Sequence, residues 1–252
     1  MKIKCVKYQV LFLLFITQLV FAQTKDSTMM QKWSVGFTFS PDYSFRIPYN
    51  TSTASSNISE KGVFAFTSGV HTQLQLSKIL ALELGVLYTS MGSKVHVPAL
   101  NAITTGGTYD PSLPYIGQGN YMSIPERKSI YRYRFISIPF KAHVYFINKN
   151  KFNMYASVGV SANWLLDRKT TTTFLYTDGH KEKQTDHKYI NTGWYNLFPA
   201  ALLGVGLNYK LNKRWYLKLE HIYRQVLSPL VDNPISGYFY AIRTDVGVSF
   251  NF

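Results

Sequence analysis

The chain has 252 residues, 46% of them hydrophobic and 16% aromatic, with Tyr 19 and Phe 17 against Trp 4, a mean hydropathy of −0.08 and a net charge of +14. After residue 22 no apolar window reaches the ~18 residues a spanning helix needs, which excludes a helical membrane protein but not one that crosses with strands. The one cysteine, Cys5, lies in the first few residues, so a disulfide framework is excluded as well.

Lys2, Lys4 and Lys7 precede the apolar run VLFLLFITQLV, and Val20-Phe21-Ala22 offers small residues at the positions a signal peptidase reads. This pattern predicts a cleavable export signal over 1–22 and a mature domain over 23–252. Losing the three lysines would lower the net charge from +14 to +11, and Cys5 would leave with them.

About eight segments alternate with period two, the mark of strands with unlike faces. In WSVGFTFSPDYSF, Trp33, Val35, Phe37 and Phe39 oppose Ser34, Gly36, Thr38 and Ser40. In VFAFTSGVHTQLQL, Phe64, Phe66, Val70, Leu74 and Leu76 oppose His71, Gln73 and Gln75. ILALELGVLYTSMG sets Leu82, Leu84 and Val86 against Ala81, Glu83 and Gly85. YRYRFISIPFKAHVYF sets Ile136, Ile138, Phe140 and Val144 against Ser137, Lys141, His143 and Tyr145. FNMYASVGVSANWL, WYNLFPAALLGVGLNY and WYLKLEHIYR continue the pattern, with Lys218 and Glu220 on the polar face of the last. The chain closes on RTDVGVSFNF, where Ile242, Val246, Val248, Phe250 and Phe252 oppose Arg243, Asp245 and Ser249. Pro139 and Pro199 fall inside predicted strands and mark bulges or weakened pairing.

Short connections, around Ser77-Lys78, Asn148-Lys149-Asn150 and Leu211-Asn212-Lys213, alternate with long ones over 46–61, 93–128, 167–192 and 227–237. Short turns at one end and long loops at the other are the asymmetry of an outer-membrane barrel. The expected fold is therefore an all-β, eight-stranded antiparallel transmembrane barrel with short periplasmic turns and long extracellular loops, its apolar faces toward lipid. Two aromatic girdles are expected. Trp33, Phe146, Phe152, Tyr209, Trp215, Phe250 and Phe252 would form one at the turn side. Tyr43, Phe45, Tyr88, Tyr131, Tyr133, Trp164, Trp194, Tyr223 and Tyr238 would form the other at the loop side.

Eight strands leave an interior that side chains can fill. The inward positions include Glu83, Lys141, His143, Lys218, Glu220, Arg243 and Asp245, with Arg132 and Arg134 toward the outer mouth. Isolated buried charges are costly, so these predict a lumenal ion-pair network that plugs the barrel. A gated ion path or a small-ligand site is the sharper alternative.

Two stretches carry a family resemblance. IYRYRFISIPFKAHVYF with NKNKFNMYASVGVSANWLL presents Phe135, Ile138, Pro139, Phe140 and Gly159, and LALELGVLYTSMGSK presents Gly85, Tyr88, Gly92 and Lys94. With TDVGVSFNF, they resemble the PorT-like outer-membrane barrels, which are eight-stranded barrels of the OmpA/OmpX type. The resemblance implies an outer-membrane location and, from one member's role, possible assistance to a protein-secretion system. The terminal Phe250 and Phe252 resemble the sorting signal that the barrel-assembly machinery reads.

No enzyme is expected. His71, His96, His143, His180, His187 and His221 show no nucleophile–base spacing, and there is neither a phosphate loop nor an H-E-x-x-H. His180 and His187, near Asp178, Glu182 and Asp186, read as a solvated loop rather than a metal site. No cofactor, metal or nucleic acid is expected. Lys61, Lys94, Arg127, Lys128, Arg132, Arg134, Arg168 and Lys169 fall near the outer rim, where they would pair with phosphates of outer-membrane lipids and lipopolysaccharide. A structural or secretion-accessory barrel leads, ahead of a narrow channel or small-solute transporter and of a lipid-modifying enzyme. Partners other than lipid would be the assembly machinery and secretion components.

Overall fold

The computed structural model describes residues 32–48, 59–103, 121–176, 178–189, 196–232 and 235–252. The expected export signal and Trp194 lie outside these residues. The elements are β1 (Lys32–Pro48), β2 (Ser59–Gln75), β3 (Leu80–Val97), β4 (Leu100–Ile103), β5 (Tyr121–Ile124) and β6 (Glu126–Asn148). They continue with β7 (Phe152–Leu175), β8 (Lys181–Tyr189), β9 (Leu197–Lys210), β10 (Trp215–Val226), β11 (Leu230–Asp232) and β12 (Ile235–Asn251).

Eight of these strands form a closed antiparallel ring in the order β1-β2-β3-β6-β7-β9-β10-β12, with β12 returning to β1. The seam runs from Ser34↔Asn251 to Pro48↔Gly237. β8 extends the wall beyond the ring by pairing with β7, β11 pairs with the start of β12, and β4 pairs with β5 as a separate hairpin. The expected eight-stranded barrel is thus the observed ring.

The alternation resolves into two faces. Val35, Phe37, Phe66, Val86, Phe140, Val158, Leu203, Leu219 and Val246 are exposed on the outside, while Ser40, Thr67, Glu83, Lys141, Tyr155, Glu220 and Asp245 are buried within. A water-soluble barrel would reverse this, so the outer surface suits hydrocarbon. Short turns join β2 to β3, β6 to β7 and β9 to β10, all at one end.

The long connections differ from expectation, because strands continue into them. β6 has 23 residues and β7 has 24, more than twice the ~10 that cross a bilayer. The predicted loop 167–192 is largely a hairpin of β7 with β8. Thr170 to Thr173 supply a β-branched run that favours strand without alternation, because both faces meet water. The reversal is set at Gly179, whose φ is 83°, and the Tyr176 N–H donates to the His180 carbonyl at 3.0 Å.

The prolines act locally. Pro139 pairs with Ser161 on β7, but on the β3 side the rungs lapse between Leu84↔Phe140 and Leu87↔Ser137 and resume in the same register. The cause is its missing N–H, and no bulge forms there; the β6–β7 irregularities fall at Arg134/Phe135 and Tyr145/Ile147 instead. Pro199 sits near the start of β9, where its carbonyl accepts from the Leu227 N–H at 2.8 Å.

Glycines on the inner face make room for long side chains. A Cβ at Gly206 would collide with the Tyr155 ring, and one at Gly159 would meet Lys141 and the Phe140 carbonyl. Gly206→Val therefore overpacks the lumen and is expected to cost about 1–3 kcal/mol. Urea unfolding in detergent micelles should show the lowered midpoint, and Tyr155→Ala in the same chain should recover part of it.

Candidate functional site

The ring encloses a lumen whose lining, among the described residues, changes along the axis. Nearest the turns, Ser34, Gln73, Gln75, Tyr145, Asn153, Asn208, Tyr216, Ser249 and Asn251 line a cavity of about 140 Å³ with no charged group. The Gln73 amide donates to the Tyr145 hydroxyl at 2.8 Å and the Asn208 amide donates to it at 3.2 Å.

Above this vestibule lies the ionic layer. Lys141 Nζ is 2.9 Å from Glu83 and 2.7 Å from Glu220. Lys218 Nζ contacts Glu83 and lies 3.0 Å from Glu220. β3 and β10 are four strands apart in a ring of eight, so the Lys218–Glu83 bridge crosses its full diameter. His143 Nε2 is 3.4 Å from Glu83, and its ring stacks on Tyr155 at 4.5 Å. The Ser157 hydroxyl donates to Glu220 at 2.6 Å.

A step further outward, Arg243 Nε lies 3.1 Å from Asp245, and Arg224 Nη2 lies 3.8 Å from Asp42. The Thr67 hydroxyl donates to Asp42 at 2.6 Å, and Ser40 donates to Asp245. All seven predicted lumen residues are buried, and they fall into these two adjoining groups. Asp42, Arg224 and His71 complete them, although the sequence reading did not single out Asp42 and Arg224 as lumenal charges. Strand parity would have found both, since Asp42 continues the Ser34–Ser40 face and Arg224 the Lys218–Glu220 face. The cations Lys141, Lys218, Arg224 and Arg243 balance Glu83, Glu220, Asp42 and Asp245, all at most 3% exposed.

Outward of these charges much of the lumen is filled by apolar side chains, which an ion-pair plug alone did not anticipate, with buried Arg46 paired to Glu60 at 2.6 Å and set over the Tyr131 ring beside them. Met91, Tyr133, Phe135, Leu165, Ala200, Val226, Phe239 and Ala241 form one buried cluster, with Tyr131 packed against it. Tyr133 meets Phe239 edge-on at 5.2 Å. Tyr131 and Tyr133 therefore leave the outer girdle and fill the barrel. Arg132 and Arg134 leave the lumen. Arg132 is exposed on the outer wall, and Arg134, opposite Asp167 across β6–β7, donates through Nε to that carboxylate at 2.6 Å.

Other girdle residues among the described ones keep their places. Tyr43, Tyr223 and Trp215 are exposed on the outer surface, and Tyr43 meets Phe64 at 5.4 Å. Phe250 packs edge-on against Trp215 at 5.1 Å and Phe252 at 5.3 Å, and the Phe252 N–H donates to the Trp33 carbonyl at 3.0 Å.

Glu83, His143 and Glu220 present ligand atoms within 4.8 Å of one another, a spacing that could hold a metal ion. The same carboxylate oxygens already contact two ammonium groups, which supply the positive charge a divalent cation would bring. The cluster is thus built as an ion-pair network. His71 Nε2 lies 3.2 Å from the Ser249 hydroxyl, but His71 Nδ1 has no hydrogen-bond partner among the described residues, so no carboxylate orients the imidazole as a general base requires. His180 and His187 stand at opposite ends of β8, roughly 20 Å apart along the strand, and do not converge.

Breaking one member of the ionic layer leaves a buried charge without its partner. Lys218→Met should destabilise the barrel by about 3–5 kcal/mol, and Lys218→Met with Glu83→Gln by clearly less. A double-mutant cycle from urea titrations followed by tryptophan fluorescence would read the coupling.

Residues 21–231 match the family described as outer membrane protein beta-barrel domain. The ring-closing β12 lies beyond that stretch. No curated protein matches the chain. Among solved structures, Neisserial surface protein A is 13% identical with a TM-score of 0.42, the match covering 87% of this chain and 97% of that one. Ail, the attachment invasion locus protein of Yersinia pestis, is 10% identical with a TM-score of 0.38, covering 89% and 100%. Outer membrane protein OprG from Pseudomonas aeruginosa is 11% identical with a TM-score of 0.38, covering 88% and 96%.

Proposed function

The chain belongs to the outer membrane protein beta-barrel domain family, and we propose that within it this protein is a sealed, non-enzymatic barrel with a structural or accessory role in the cell envelope. The observation that carries the reading is the two-part plug. A hydrated ion entering from the turns reaches the vestibule, then a charge-balanced layer whose carboxylates and ammonium groups are already paired. Beyond that lies an apolar cluster in which its hydration shell has no substitute. The balanced charge also supports no ion selectivity. Against an enzymatic reading stands the pairing of every buried carboxylate in the ionic layer and the unoriented His71.

The role in the envelope is read from the PorT-like resemblance as assistance to protein export, with secretion components as partners and the barrel-assembly machinery acting through Phe250 and Phe252. An export signal over 1–22 is part of the same reading.

In planar bilayers the purified barrel is expected to show no unitary conductance. The variant Tyr133→Gly with Phe135→Gly and Phe239→Gly, which empties the apolar layer, should leak. Unitary steps in the unaltered protein would replace the sealed reading by a channel. Deleting the gene should trap secreted cargo in the periplasm, and an unchanged secreted and surface proteome would leave a structural role only.

A further inference from the structure

Beyond the ring, β2, β3, β6, β7 and β8 continue as one wall, and their registers set side chains in rows on its outward face. One row holds Lys61, Lys94, Ile130, Thr171 and Thr185, and the next toward the membrane holds Gly92, Arg132, Lys169 and His187. Two like-charged pairs stand directly opposite across strands, Lys61↔Lys94 and Arg132↔Lys169. Directly opposed like charges destabilise a sheet. Two other cations on this wall are compensated: Lys128 Nζ lies 2.7 Å from Glu126, and Arg134 pairs with Asp167. Between those pairs, Arg132, Lys169 and Lys183 have no carboxylate in ion-pairing reach among the described residues. They converge on a groove of about 230 Å³ lined otherwise by Ile130 and Thr171.

We propose that this groove binds the phosphate groups of an outer-leaflet glycolipid, with Arg132, Lys169 and Lys183 as the anion-binding side chains and Lys61 and Lys94 continuing the surface. The inference rests on the outer-membrane placement. Three converging cations with a neutral hydroxyl beside them suit a multiply charged phosphate. The height favours a lipid over a soluble polyanion. Tyr88, Ile136 and Trp164 form one cross-strand row at the outer girdle, and Arg132 lies four residues beyond Ile136 on β6. That is roughly 13 Å along a tilted strand, or about 10 Å along the membrane normal, where headgroup phosphates and sugars lie. The groove also opens sideways from the wall, over the leaflet, not from the barrel mouth. Of the rim cations predicted from sequence, Arg127 and Arg168 fall on the other face of the wall by register and take no part.

The test uses the full folded barrel in detergent with three probes: bisphosphorylated lipid A, its dephosphorylated form and dextran sulfate. Native mass spectrometry and titration read affinity, and heat-modifiable gel migration confirms the folded ring. Bisphosphorylated lipid A should bind, and the dephosphorylated form should not. Arg132→Gln with Lys169→Gln and Lys183→Gln should weaken binding at least about tenfold. Lys78→Gln with Lys149→Gln and Lys213→Gln removes equal charge at the turn end and should leave binding unchanged. Equal loss in both triple variants would overturn the site in favour of net charge alone. Tight dextran sulfate binding without lipid A binding would overturn the lipid source. Should the first triple fail to fold, Lys183→Gln alone, on β8 outside the ring, should still weaken binding, and no change would overturn the proposal. A barrel that stays folded and non-conducting yet binds no lipid A refutes this inference without touching the sealed-lumen reading.

Discussion

Everything in this molecule follows from the need to pair backbone groups inside hydrocarbon. An open edge would leave a row of N–H and C=O groups in lipid at several kcal/mol each, so the first and last strands of the ring must meet. The β1–β12 seam meets that demand over most of both strands. Where Pro41 interrupts it, between Phe39↔Val246 and Asp42↔Arg243, the Ser40 side chain bonds Asp245 across the gap. Closure fixes the number of strands, and that number fixes a lumen too narrow for bulk water and wide enough for side chains.

A narrow lumen forces complementarity of size. Gly36, Gly159, Gly204 and Gly206 each lie beneath a long inner side chain, respectively His71, Lys141, Ser157 with Glu220, and Tyr155. The same narrowness lets a lysine on one wall reach a carboxylate on the opposite wall. Charges that would be prohibitive singly become acceptable because four of each sign share the space. Outward of them the filling turns largely apolar, so the plug is made of two materials in series.

The ring was legible in the sequence because alternation is a direct record of having two unlike surroundings. Phe37, Val70, Val86, Phe140, Val158 and Val246 all lie outside as their parity required, and the lumenal charges lie inside for the same reason. What escaped notice escaped because the two surroundings become alike. At Phe135-Ile136 and Leu165-Leu166 both faces are apolar, since the lumen there is filled with hydrocarbon as the bilayer is. These unalternating pairs were the available signal for the apolar layer. In Thr170 to Thr173 both faces are wet, and the strand was read as loop. The partnership of Arg224 with Asp42 needed the ring's geometry, since nothing in their spacing of 182 residues announces it.

The diametric bridge has a mechanical side. A thin-walled tube held in a fluctuating bilayer is loaded sideways, and a tube of eight strands yields most readily by flattening into an ellipse. Lys218 on β10 with Glu83 on β3 acts as a spoke against that deformation, and Lys141 with Glu220 as a shorter chord beside it. Elongation along the β3–β10 diameter pulls ammonium from carboxylate in a medium that offers nothing in exchange. Compression presses Tyr155 against the Gly206 backbone, which has no slack. The barrel therefore keeps a round cross-section under changes of lateral pressure that would deform a tube filled only with water.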